Sequence, residues 1–159
     1  MEIFKRKTGR IGKQLTNLVQ QTTSTEPTAI RCLILRGLPV ILGDDASMFF
    51  KSSPNLNEGD SVDIPVGILC YEDTSAASPA SPQLNPSRVG IIREGSLVME
   101  ALTNLPQAMC LLFGFTYALH LQYPKCLKNT FVFIQQVMLN LGRSELPPIV
   151  QNLKNDLAV

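Results

Sequence analysis

The spacing of apolar residues divides the chain into a mixed first half and a helical second half. Near the start, four apolar residues recur at helical spacing and predict a short amphipathic helix: Ile11, Leu15, Leu18 and Val19. Residues 29–35 are apolar except for Arg31 and fit either a helix or a strand. We favour a helix, which Gly37 and Pro39 are expected to stop. A short apolar segment at residues 40–42 and a turn at residues 43–45 follow.

Two aliphatic segments in the middle of the chain predict neighbouring β-strands. Residues 64–71 are bounded by acidic turn residues, and residues 89–92 repeat a similar short pattern. The pair Glu94-Gly95 stands between two apolar runs and predicts a hairpin turn. We therefore expect a small sheet, mostly antiparallel, or a single hairpin.

Two other stretches have the composition of loops. Residues 52–60 hold proline, glycine and two asparagines. Residues 72–87 read EDTSAASPASPQLNPS, in which Leu84 is the one large apolar residue. Such a segment buries too little surface to offset its ordering entropy, so residues 72–87 are predicted to form a flexible loop.

The remainder of the chain has the pattern of three helices. Pro106 suits the first turn of a helix that runs to about Leu121, and the Pro147-Pro148 pair opens a short one through Leu157. Between them, residues 125–141 are expected to form a helix with Gly142 as its C-cap. The short connection between the first two favours an antiparallel helical hairpin.

One face of the middle helix is apolar and is expected to meet the core, with Phe131, Ile134 and Met138 pointing inward. Together the patterns predict an α+β fold, in which a small sheet packs with a C-terminal helical hairpin and a third short helix. Residues 1–25 are expected to form a basic arm with a short helix. Residues 26–159 are expected to form one domain, with its flexible loop at 72–87 and its helical part at 104–157.

Composition supports a folded chain. Hydrophobic residues make up 45% of the sequence and charged residues 17%, the opposite of what an intrinsically disordered chain shows. The net charge of +1 hides a basic start, where five cations oppose Glu2: Lys5, Arg6, Lys7, Arg10 and Lys13. A solvated, poorly ordered terminus is the favoured interpretation of this segment, and contact with phosphate, an acidic partner or an import receptor is the alternative.

The cysteines and the apolar runs bear on compartment. The four cysteines lie far apart, without a C-x-x-C pair, and each has apolar neighbours, so buried, unbridged thiols without metal are expected. No apolar region follows the first basic residues, so a signal peptide is not expected. We therefore expect a cytoplasmic or nuclear location. The uncharged run at residues 108–121 is shorter than the roughly 20 residues that span a bilayer, so no membrane partner is expected.

No pattern of catalytic or cofactor-binding residues emerges. Residues 9–14 resemble a phosphate loop, but two residues instead of four separate the glycines, and Gln14 stands where a hydroxyl is needed. His120 is the only histidine, and we interpret it as a helix-end residue, because the cysteines around it lie in apolar sequence. We therefore expect no enzyme activity, no metal and no cofactor.

Half of the ten aromatic residues fall in the two main helices: Phe113, Phe115, Tyr117, Phe131 and Phe133. Core packing is the ordinary explanation, and a groove for a partner is the alternative.

Part of the chain resembles a known family. The most specific segments are YALHLQYPK, residues 117–125, and TFVFIQQ, residues 130–136, within a likeness that spans roughly residues 29–157. They resemble the C-terminal region of uncharacterised vertebrate proteins, numerous in fish, some of them labelled as similar to sterile-alpha-motif-domain-containing proteins. The resemblance implies no catalytic residues. Longer members place other domains ahead of this region, so the chain is expected to be a truncated or stand-alone version.

These observations favour a non-catalytic protein-interaction or scaffold module with an unknown protein partner. The alternative is a nucleic-acid-associated accessory domain that acts through the basic arm at Lys5, Arg6, Lys7, Arg10 and Lys13.

Overall fold

A computed structural model describes residues 2–22, 24–53, 64–71, 86, 88–142 and 144–158. Its helices and strands follow one another in this order: α1 (Glu2–Arg6), α2 (Gly9–Gln20), α3 (Pro27–Leu42), β1 (Phe50–Ser53), β2 (Val66–Tyr71), β3 (Val89–Arg93), β4 (Ser96–Leu102), α4 (Leu105–Ala118), α5 (Lys128–Phe133) and α6 (Pro148–Leu157). Short 3₁₀ turns at Ala46–Met48 and Lys125–Leu127 precede β1 and α5, and a π-helical turn at Ile134–Met138 follows α5.

The sheet confirms the α+β class. Its strand order is β1-β2-β3-β4, with β1 parallel to β2 and the other two pairings antiparallel. Glu94 and Gly95 connect β3 to β4 as predicted, and both have the positive φ that a tight hairpin turn requires. The parallel strand β1 was not expected, because only Phe50 of its four residues is apolar and residues 52 and 53 fall in a stretch with the composition of a loop.

Helix α3 is longer than the sequence predicts. It passes through Gly37 and Pro39 and ends at Leu42, where Gly43 adopts the left-handed conformation of a helix C-cap. Gly37 is a packing position instead of a stop signal, because a Cβ atom there would overlap the Phe4 ring. Residues 40–42 therefore belong to the helix, and the predicted stop at Gly37 and Pro39 is wrong.

The basic N-terminal segment is folded. Helices α1 and α2 cover most of it, and Phe4 and Leu15 are buried in the same apolar cluster as Leu33 and Leu38 of α3. Burying two large apolar side chains fixes the segment against the rest of the chain. A poorly ordered terminus is therefore the wrong interpretation of this sequence.

Helix α4 begins where its sequence signals place it. The side chain of Asn104 accepts a hydrogen bond from the Gln107 N–H at 2.8 Å, so Asn104 is the N-cap, and Pro106 occupies the first turn. The helix ends at Ala118 instead of Leu121, and His120 follows with a positive φ of 50°.

The middle C-terminal helix differs from the prediction at its end. After α5, the π-helical turn adds one residue to the helical repeat, and the helix stops at Met138. Asn140 enters the left-handed region first, so Gly142 is not the C-cap that was predicted. The shifted repeat leaves Met138 59% exposed, while Phe131 and Ile134 are buried as expected.

Helices α3 and α5 each contribute residues to two apolar clusters. The first lies under the sheet and contains Cys32 of α3 and Phe131 of α5. The second lies under α1, α2 and α6 and contains Leu33 of α3 and Phe133 of α5. Because adjacent residues of α3 and nearby residues of α5 point into different clusters, these two helices form the layer between them.

The ends of α3 and α5 exchange hydrogen bonds. The Asp44 carboxylate, just beyond α3, accepts from the Thr130 N–H at 2.7 Å and from the Thr130 hydroxyl at 2.8 Å. In return, the Asn129 side-chain amide donates to the Leu42 carbonyl at 3.1 Å. Each helix thus supplies a partner for a terminal backbone group that the other leaves unpaired.

Some predictions lie outside the described residues. The flexible loop at residues 72–87 falls there except for Pro86, and so do residues 54–60 of the first loop. Residues 52 and 53 of that predicted loop belong to β1 instead. None of the helices in the described part of the chain is long and apolar enough to cross a membrane.

Replacing Phe131 with Ala should lower the free energy of unfolding by about 3–5 kcal/mol, because the buried ring contacts Phe49, Phe113 and Tyr123. Met138→Ala is the matched control on the same segment and should change it by no more than about 0.5 kcal/mol. Urea unfolding of both variants measures the difference. Equal losses would show that the face of this helix is misassigned.

Replacing Asp44 with Ala should lower the free energy of unfolding by about 1.5–3 kcal/mol, because the Thr130 N–H loses a charged acceptor. Asp45→Ala should cost less, since that carboxylate is exposed and accepts only from Ser47 at the adjacent 3₁₀ turn. A double-mutant cycle with Thr130→Val isolates the coupling. Additive effects of Asp44→Ala and Thr130→Val would contradict a direct interaction through the hydroxyl.

Candidate functional site

A cleft of about 370 Å³ lies where α2 and α3 approach the start of the sheet. One wall is amide-rich, with Gln14, Asn17 and Gln21 contributed by α2 and its C-cap. These positions follow one another at intervals of three and four residues, which places them on one face of the helix. The cleft therefore has a row of neutral hydrogen-bonding groups along one side.

The opposite side combines apolar groups with one cation. Arg36 and Val40 are four residues apart on α3, and Phe50 begins β1. Ser47, in the 3₁₀ turn before β1, adds a hydroxyl. Among the described lining residues, Arg36 is the only one that carries a charge.

The Arg36 guanidinium is held by weak partners. Its central carbon lies 5.1 Å from the centroid of the Phe50 ring, and its Nη2 donates to the Cys70 sulfur at 3.3 Å. Its Nε is buried and has no hydrogen-bond acceptor among the described residues. Within the described residues no carboxylate forms an ion pair with it.

Two cysteines lie near this guanidinium. Cys32 and Cys70 are both buried, on α3 and β2. Burial raises the pKa of the Cys32 thiol, and this effect outweighs the opposing charge of Arg36. A raised pKa keeps the thiol protonated at neutral pH, which is the inert state of a cysteine.

The predicted basic residues are distributed over α1, α2 and the turn between them. Lys7 forms an ion pair with Asp156 of α6 at 3.1 Å. The other four side chains are exposed and form no ion pair within the described residues: Lys5, Arg6, Arg10 and Lys13. Arg10 and Lys13 continue the helix face that carries Gln14 and Asn17, so they extend the cleft wall with positive charge.

The C-terminal end of α4 exposes large apolar side chains. Phe115 is 48% exposed, Tyr117 42% and Leu119 64%. No residue of α4 carries a charge. Core packing is therefore the wrong interpretation for Phe115 and Tyr117, although it holds for the buried Phe113, Phe131 and Phe133.

The other residues considered as functional candidates, residues 9–14 and His120, do not come together in a reactive site. Residues 9–14 lie in α2, and Gly12 is packed against the Lys7 carbonyl, where a Cβ atom would overlap it. His120 is exposed in the turn after α4. Within the described residues no three His, Cys, Asp or Glu side chains are close enough together to hold a metal ion.

Comparison with protein-family models, with curated proteins and with solved structures gives no match.

Sequence reasoning found the exposed cations but missed Arg36 and the amides of α2. Spacing alone could have shown that Gln14, Asn17 and Gln21 share a helix face. Arg36 and Phe50 are far apart along the chain, so the sequence does not indicate that they are in contact.

One thiol should react rapidly in the native protein, in contrast to the four slow ones that the sequence predicts. Cys110 is exposed on α4, whereas Cys126 is half-buried and burial raises the pKa of its thiol. A thiol reagent at neutral pH should therefore modify about one equivalent quickly, and Cys110→Ser should remove that phase. A fast phase that survives Cys110→Ser would contradict this assignment.

Proposed function

We propose that the protein is a non-catalytic protein-interaction module whose contact surface is the exposed end of α4. The single observation that carries the proposal is the exposure of Phe115, Tyr117 and Leu119 on an uncharged segment. Phe115 and Leu119, four residues apart, share one side of the segment, and Tyr117 stands between them along the chain. Exposed apolar residues are typical of sites that a partner covers, and aromatic residues are enriched there.

The packing below this surface supports a binding role. Tyr117 stacks on the buried Phe113 with ring centroids 6.1 Å apart, and Phe113 in turn stacks on Tyr123 at 6.3 Å. Tyr123 is anchored by the hydrogen bond that its hydroxyl donates to Gln135 at 2.6 Å. A ring held in this way loses little conformational entropy when a partner covers it, which favours binding.

Two further considerations agree with this class of function. The chain resembles a region that follows other domains in longer proteins. Such an arrangement favours a role in binding a protein partner. A cytoplasmic or nuclear setting is supported by the thiols of Cys110 and Cys126, which are unbridged at or near the surface.

Affinity purification with matched variants tests the proposal. The double variant Phe115→Ser with Leu119→Ser should lose a stoichiometric protein partner that the wild type recovers. The control, Met48→Ser with Leu157→Ser, removes two similarly exposed apolar side chains elsewhere and should retain that partner. Thermal unfolding confirms that both variants are folded. Retention by the α4 variant, or equal loss by the control, would refute the assigned surface.

A second candidate function is nucleic-acid association through Lys5, Arg6, Arg10 and Lys13. Their exposure without ion pairs in the described structure favours it. Nucleic-acid binding that weakens steeply with salt and disappears when these four are changed to Gln would support it. Changing Arg31, Lys125, Lys128 and Lys154 to Gln removes the same charge from other exposed positions and is the matched control.

A further inference from the structure

We infer that the cleft between α2, α3 and β1 binds a small organic carboxylate through the guanidinium of Arg36. This site is separate from the α4 surface and does not depend on the function proposed for it. Its ligand would have an anionic end at Arg36 and an apolar body against Val40 and Phe50.

The charge of Arg36 is the starting point. A guanidinium stays protonated in proteins and carries five N–H donors. The described structure gives it a sulfur atom, a poor acceptor, and the face of an aromatic ring. Partial burial makes a charge more costly when no counter-charge is present, so a bound anion would stabilise this arrangement.

The nearest acidic residues along the chain are engaged elsewhere. Asp44 accepts hydrogen bonds from Thr130 at the start of α5. Asp45 accepts from the Ser47 N–H at 3.0 Å, and the Ser47 backbone and side-chain groups lower the pKa of its carboxyl. Neither carboxylate forms an ion pair with Arg36. Within the described residues, no carboxylate therefore offsets the charge of Arg36, and a bound anion would do so.

The surroundings favour entry of an anion. Arg10 and Lys13 are exposed on the α2 face that continues the cleft wall. Unpaired cations at the rim raise the local concentration of anions and speed their association. Gln14 and Asn17, closer to Arg36, supply amide donors that can orient the ligand.

Size and polarity select the class of ligand. The volume of about 370 Å³ is at the small end of ligand pockets. A planar guanidinium matches a carboxylate with two parallel hydrogen bonds, while Leu18, Val40 and Phe50 provide apolar contact. Inorganic phosphate would leave those apolar groups uncovered, and a nucleic acid strand would need more than one cation in the cleft.

Titrations with three probes, followed by NMR shifts of the backbone amides, test the inference. Phenylacetate should bind with shifts concentrated in α2, α3 and the start of β1. Phenylacetamide has the same apolar body without the charge and should bind about tenfold more weakly or worse, as should inorganic phosphate. Equal binding of phenylacetate and phenylacetamide, equal binding of phosphate, or no binding of phenylacetate would overturn the inference.

Variants locate the binding site. Arg36→Gln should weaken phenylacetate binding by about tenfold or more, while Arg31→Gln, which removes an exposed charge from the same helix, should leave it unchanged. Asn17→Trp fills the cleft from an exposed position and should abolish binding with Arg36 intact, which keeps the test decisive if Arg36→Gln unfolds. Equal effects of Arg36→Gln and Arg31→Gln in folded proteins, or undisturbed binding by Asn17→Trp, would refute the site. Partner recovery by the α4 surface should be unaffected, so the two proposals fail separately.

Discussion

The carboxylate of Asp44 is the contact on which the arrangement of the helices depends. It lies just beyond the left-handed Gly43 at the end of α3 and accepts hydrogen bonds from the backbone and hydroxyl of Thr130. Helix α5 has Leu127 at its N-cap, a residue that cannot accept from the first turn. Asp44 caps this helix from 86 residues away along the chain. In the other direction, the Asn129 side-chain amide donates a hydrogen bond to the Leu42 carbonyl at the end of α3. The two helix ends are therefore fixed to each other in position and direction.

This exchange matters because α3 and α5 separate the two apolar clusters. Phe131 of α5 contacts the Phe49 ring at 6.1 Å and the Phe113 ring at 6.0 Å, which links the start of the sheet to α4. Phe49 contacts Phe50, the residue under the Arg36 guanidinium. Both the cleft and the α4 surface thus rest on aromatic packing that converges on α5. Their geometry is a consequence of how α5 is docked on α3.

The fold was predictable where local chemistry decides it. Asn104 with Pro106, the Glu94-Gly95 pair and Pro148 act within a few residues, and each marks an element boundary that the structure has. The errors arise where a distant residue decides. Gly37 is a residue type that often ends a helix, but here the Phe4 ring packs on it and α3 continues to Leu42. Met138 fits an apolar helical face, but the π-helical turn rotates it to the surface.

The candidate site was harder to predict than the fold for the same physical reason. Arg36 has no sequence feature that separates it from Arg31, the exposed arginine of the same apolar helix. What distinguishes Arg36 is the Phe50 ring and the Cys70 sulfur that meet it from two different strands. The five basic residues near the start form a visible cluster, yet one of them, Lys7, is neutralised by Asp156 at the other end of the chain. The sequence shows where the cations lie along the chain, and only the packing of the chain decides which of them meet a carboxylate.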